Sequence, residues 1–101
     1  MRSITKSRSY KKDFQRESAG IYRVVLMTEL PIMIAMLVAD QPLPDKYSDH
    51  TLTGDWAGYR ECHVRPNLLL IYMKIGDTTD AEGLSGDLRL ARLGSHSELF
   101  G

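Results

Sequence analysis

The chain has one cysteine, Cys62, in 101 residues. No disulfide can close within it, which fits a reducing compartment. Neither sign of charge is in excess: 13 Lys and Arg balance 13 Asp and Glu. No global field therefore draws the protein to nucleic acid. Long apolar runs are also missing. The longest, Ile32–Ala39, is far too short to span a bilayer. The basic N-terminus is not followed by the apolar core of a signal peptide. These features predict a soluble, cytoplasmic protein with no membrane partner. There is no repeat, no low-complexity tract, no CxxC or HxxxH cluster, no Gly-rich phosphate loop and no serine elbow. Cysteine-rich metal sites, phosphate-loop chemistry and serine-elbow hydrolysis are left without support.

What is present is organised around Tyr59–Tyr72, YRECHVRPNLLLIY. Side chains alternate from Tyr59 to Val64, so Tyr59, Glu61 and His63 share one face and Arg60, Cys62 and Val64 the other. Cys62 reads as a small core residue. Arg65-Pro66-Asn67 is a turn, because Pro fixes φ and Asn tolerates left-handed geometry. Leu68–Ile75 is nearly all apolar, as a covered strand is. The simplest reading is an antiparallel hairpin at the centre of a sheet.

Upstream, Arg2–Ser7 alternates weakly and predicts a short strand. Ser7 or Ser9 can cap a helix that runs through Ser18 and closes at Gly20, with Tyr10 and Phe14 facing inward. Ile21–Met27 is ambiguous. Thr28 reads as the N-cap of a second helix to about Asp40, with Pro31 in its first turn. This helix is apolar all round in its second half, so it is buried on several sides or partly covered by another chain. Asp45–Asp55 is a polar loop, with Leu52 tucked under it. Asp77–Gly86 is a mobile hairpin loop, and Asp87–Leu93 is a last strand. The expected order is β-α-α-β-β-β in a single domain, residues 1–101. The fold class is α+β: two N-terminal helices on one face of a small, mainly antiparallel sheet, with the other face open and concave.

Histidine, with an ordinary pKa of about 6.5, suits proton transfer at neutral pH. The three histidines, His50, His63 and His96, all fall in polar settings. Two imidazoles can deprotonate an RNA 2′-OH and protonate the leaving 5′-oxygen. Arg60, Arg65, Arg89 and Arg92 could hold the phosphate. Phe100, Tyr59 or Trp56 could stack a base. Spacing alone does not bring the histidines together. Glu61 and His63 could be two metal ligands, but no further ligand motif accompanies them. Cys62 faces away from His63, which disfavours a Cys/His nucleophile. Up to Arg23, seven bases face Asp13 and Glu17 only; a basic binding face and a solvated helix face account for this equally.

The residues KYSDHTLTGDWAGYRECHVRPNLLLIY (Lys46–Tyr72) and RLGSHSELFG (Arg92–Gly101), with YKKDFQR and QPLP upstream, resemble the YafQ branch of the RelE/ParE toxin superfamily. The resemblance covers nearly the whole chain and implies a RelE-like fold and a bacterial type II toxin. It implies a ribosome-dependent mRNA endoribonuclease that needs no metal or other cofactor. The implied partners are mRNA on the ribosome and a cognate antitoxin, with DNA reached only through the antitoxin complex. The antitoxin is expected to fold around helices one and two. Position by position, the resemblance makes His50, His63, His96 and Glu61 catalytic, Arg92 a phosphate ligand and Phe100 a substrate-placing aromatic. Arg60 joins them as a candidate RNA contact from the residues alone. Asn67 stands where the family has an aspartate. An amide cannot accept a proton as a carboxylate does, so Asn67 either orients the turn or leaves Glu61 to do that work. The alternative reading is a non-catalytic protein, either a ParE-like gyrase poison or an inactive toxin acting as co-repressor.

Overall fold

The computed structural model describes residues 1–76 and 86–101. Of the predicted hairpin loop Asp77–Gly86, residues 77–85 lie outside the described residues. Five strands form one sheet: β1 (Ser3–Lys6), β2 (His50–Thr51), β3 (Arg60–Arg65), β4 (Leu68–Ile75) and β5 (Asp87–Gly94). Their spatial order is β1-β5-β4-β3-β2. Only β1, which runs parallel to β5, departs from antiparallel pairing among these strands. The α+β class and the antiparallel core match the expectation. The polar loop, however, contributes the two-residue strand β2, too short for any alternation to announce it.

Helix α1 (Arg8–Ser18) starts at Ser7, whose hydroxyl accepts from the Tyr10 N–H. Tyr10 is buried, but Phe14 stays partly exposed at the rim of a groove. Helix α2 (Arg23–Val38) begins a turn and a half earlier than Thr28. Thr28 is an interior residue whose hydroxyl donates to the Val24 carbonyl one turn back. Pro31 therefore sits inside the helix, not in its first turn, and removes one ladder bond. Packing overrides both local signals. Leu26, Leu30, Met33 and Leu37, at helical spacing, are all buried in the main core against Leu68, Leu70, Tyr72, Leu88 and Leu90.

The face away from α1 and α2 is not fully open, as the sequence had suggested. Leu69, Ile71 and Ala91 form a second, smaller core there with Leu99. Leu99 belongs to a short C-terminal helix, α3 (His96–Phe100), and Leu52, Trp56 and Tyr59 pack alongside. A hollow between α3 and the 52–56 segment remains uncovered on that face.

β1 ends at Lys6, so the outer edge of β5 beyond Leu90 needs other partners. α1 supplies them. Ser7 donates to the Ala91 carbonyl, Arg16 donates to the Leu93 carbonyl, and the buried Asp13 carboxylate accepts from the Leu93 N–H.

Candidate active site

Register builds the site. β2 pairs with β3 so that His50 lies opposite Glu61, and Glu61 and His63 are two apart on β3. Glu61 pairs with Ile71 and His63 with Leu69, both residues of the second core. The carboxylate and both imidazoles therefore sit on the face away from α1 and α2. Glu61 Oε2 lies 2.9 Å from His50 Nε2 and 3.8 Å from His63 Nε2. The two imidazole centroids are 6.0 Å apart.

His50 is fixed from both sides. Ser48 takes a left-handed backbone, φ 48°, and its carbonyl lies 2.6 Å from His50 Nδ1. A carbonyl only accepts, so Nδ1 carries the proton of that bond. Both ring nitrogens of His50 thus face acceptors, and the two contacts are hydrogen bonds together when the ring carries two protons. His63 is held more loosely, since 3.8 Å exceeds a hydrogen bond. Glu61 is 6% exposed, and its Oε1 is buried with no hydrogen-bond partner among the described residues. A buried, half-satisfied carboxylate is costly to keep.

His96 arrives from the other end of the face. Ser95 and Glu98 form a capping box that starts α3: Ser95 Oγ accepts from the Glu98 N–H, and Glu98 accepts from the Ser95 N–H. His96 and Phe100 are one turn apart with ring centroids at 5.0 Å. Phe100 meets the edge of Trp56, which itself meets Tyr59 edge-on. A hollow of about 500 Å³ is lined by His96, Phe100, Trp56, Thr53, Asp55 and Glu61. Glu61 is thus common to the imidazole cluster and to the hollow that holds His96.

The structure brings His50, Glu61 and His63 together, and sets His96 and Phe100 on the wall of a hollow that reaches that cluster at Glu61. It does not bring in Arg60 or Arg92. Arg60 is opposite Tyr72 on the helix-facing side, and its Nε donates to Asp49 and to the Tyr72 hydroxyl. Arg92 pairs with Ile71 but turns to the sheet edge, where its Nε donates to Asp13 Oδ2 at 2.7 Å. Their carboxylate partners lie 11 and 79 residues away in sequence, which no local pattern announces. Asn67 is exposed in the β3–β4 turn. Cys62 is fully buried, and burial pushes its thiol well above the usual range. Residue-by-residue reading missed Ser48, whose signal is positional: it precedes His50 by two. His50, Glu61 and His63 each offer one ligand atom, all within 4.8 Å of one another, a spread that a single transition-metal ion can bridge.

The family model for the bacterial toxin of type II toxin–antitoxin systems, YafQ, matches residues 2–101. The mRNA interferase toxin YafQ of Escherichia coli K12 is 38% identical over 101 residues, covering 99% of this chain and 97% of that protein. YafQ in the E. coli DinJ–YafQ complex superposes with a TM-score of 0.74 at 34% identity, each chain covered completely. A metal-bound toxin from Helicobacter pylori gives 0.72 at 37% identity, over 99% of this chain and all of that one. With the family model, the sequence relatives and the fold in agreement along nearly the whole chain, the chain belongs to the YafQ family of bacterial type II toxins.

Proposed function

We propose that this toxin cleaves mRNA on the ribosome by histidine acid–base chemistry in the hollow between β3 and α3. The observation that carries the reading is Glu61, shared by the His50–His63 pair and by the wall of the hollow that holds His96 and Phe100. A group of the His50–Glu61–His63 cluster takes the proton of the RNA 2′-OH. The 2′-oxygen bonds to phosphorus, the bond to the 5′-oxygen breaks, and His96 returns a proton to that oxygen. Phe100 and Trp56 offer ring faces and edges that hold a base and align the attack. The His50–Glu61 contact is formed beforehand, so these groups need little rearrangement as the phosphorane forms.

No step calls for a metal. The three donors of the cluster would instead hold an ion at the expense of proton transfer; the metal-bound H. pylori toxin makes this a concrete competitor. The cognate antitoxin fits a different place. A groove of about 480 Å³ between β1, α1 and α2 is lined by Ile4, Tyr10, Phe14, Leu30, Pro31 and Ile34. Exposed Arg8, Lys11 and Lys12 belong to α1 beside it. An antitoxin segment with an apolar face and acidic flanks suits that surface.

The test is primer extension on mRNA in a translation extract. Wild type should cut, while His63→Ala, His96→Ala and Glu61→Gln should each lose about 100-fold or more. Cutting by His63→Ala and His96→Ala at the wild-type rate would refute the proposal. Intact mRNA with wild type, together with inhibited DNA supercoiling, would establish the gyrase-poisoning alternative.

A further inference from the structure

Arg60 and Arg92 are tied to carboxylates away from the hollow, so the negative backbone of RNA needs other cations. One cleft supplies them. β2 is two residues long, so the outer edge of β3 is uncovered past Glu61. Val64 is a bulge that interrupts the register between His63 and Arg65, and Arg65 reaches across towards α2. A cleft of about 310 Å³ opens there, lined by Lys46, Tyr47, His63, Arg65, Pro66 and Glu29. His63 is therefore shared by the catalytic cluster and this cleft. An RNA strand running from the hollow past Glu61 and on past His63 would enter it.

In the free protein an anion already sits between the cations: the Glu29 carboxylate. It accepts from Arg65 Nη1 and from the Tyr47 hydroxyl at 2.6 Å, with Lys46 Nζ at 3.9 Å. These bonds, led by that from Tyr47, hold the Glu29 carboxyl below its usual range. Arg65 and Lys46 remain substantially exposed, and Arg65 spends only Nη1 on its two hydrogen bonds. Two cations face one anion, which leaves the cleft net positive. We propose that Lys46 and Arg65 form the seat for the RNA phosphate next to the cleaved linkage, and that Glu29 occupies the seat until RNA displaces it. The inference rests on the mRNA-cleavage reading above.

The probe is an RNA octamer blocked at every 2′-oxygen by methylation, so that it binds without being cut. Fluorescence anisotropy across a salt series reads affinity and the number of phosphate contacts. Lys46→Ala and Arg65→Ala should each weaken binding about 3- to 10-fold, as loss of one charge-assisted contact does. Each should also make the log–log salt dependence shallower by roughly 0.7. Lys46→Arg should restore both, and Glu29→Gln should bind more tightly than wild type. Circular dichroism melts check that each variant is folded. If Glu29→Gln unfolds, Lys46→Ala still decides, because Lys46 is exposed and its contact to Glu29 is long. Wild-type affinity and salt slope in both alanine variants would overturn the seat. Primer extension separates the two claims: intact mRNA with wild type defeats the cleavage reading, whereas cutting by wild type with unchanged binding in the variants defeats only the cleft.

Discussion

Asp13→Asn should cost the fold about 2–4 kcal/mol at pH 7. Asp13 is 3% exposed although it lies on a helix. It accepts from the Leu93 N–H at 3.0 Å, from Arg92 Nε at 2.7 Å and from Arg16 Nη1 at 3.0 Å. An amide keeps the shape but loses the charge, and turns a donor towards donors. Hydrogen bonds to a charged group contribute roughly 1.5–3 kcal/mol each. Arg92 and Arg16 are partly open to water and recover much of their share by hydration. The Leu93 N–H sits in a buried strand and recovers little. Against a total of roughly 5–15 kcal/mol, the loss is large. The pH dependence follows the same carboxylate. Burial opposes its ionisation, but the bonds from Arg92, Leu93 and Arg16 together outweigh burial and hold the carboxyl below its ordinary value. A depressed carboxyl stabilises fully above its unfolded pKa of about 3.9, and the contribution fades as pH falls through the folded value. Urea melts of wild type and Asp13→Asn should therefore differ at pH 7 and converge below about pH 4. A gap under about 1 kcal/mol at pH 7, or one that stays constant down to pH 3, would refute the reasoning.

Three further outcomes are expected. Asn67→Asp should leave cleavage within about twofold, as an exposed turn substitution does; a tenfold gain in primer extension would show that the missing carboxylate takes part in proton transfer. Zinc or copper should bind the isolated toxin with one site by calorimetry and inhibit cleavage, and His50→Ala or Glu61→Gln should abolish that site; binding unchanged in both variants would place the metal elsewhere. Gly94→Ala should lower cleavage more than it lowers stability, because a Cβ there would meet Arg16 Nη2 at 2.8 Å and Glu98 Oε1 at 3.2 Å. Arg16→Ala should reproduce that loss, and the double variant should be no worse than either alone; additive losses would sink the explanation.

The hairpin was legible because alternation through Cys62 and the Pro-Asn turn leave little choice of register or face. The Ser7 cap was legible because it is a local hydrogen bond. The start of α2 was not. Val24 and Val25 disfavour a helix locally and Thr28 mimics a cap, yet burial of Leu26 and Leu30 outweighs a few tenths of a kcal/mol of propensity per residue. Of the site, Glu61 and His63 followed from strand periodicity. His50 joined them through resemblance, since a two-residue strand sets its register. Arg60 and Arg92 were read as free cations because ion pairing with Asp49 and Asp13 is a property of the folded chain. Nothing local in the sequence marks Asp13 as buried, for the same reason.

The two faces of the sheet are joined mechanically at one corner. Arg16 of α1 donates to Asp13, to the Leu93 carbonyl at the end of β5, and pairs with Glu98 at 2.9 Å. Glu98 is also the residue that closes the capping box of α3, the helix bearing His96 and Phe100. Gly94 permits this junction by leaving the corner without a side chain. A helix of five residues has almost no stability of its own, so α3 holds His96 in place through that cap, the Arg16 pair, the buried Leu99 and the packing of Phe100 on Trp56. The proposed antitoxin groove is lined by the same α1 that carries Arg16. Anything that shifts α1 along β5 therefore pulls on the anchor of α3, whereas His50, Glu61 and His63 are held by strand pairing and would stay. On this geometry His96, the proposed proton donor, is the adjustable half of the site and the His50–Glu61–His63 cluster is the fixed half.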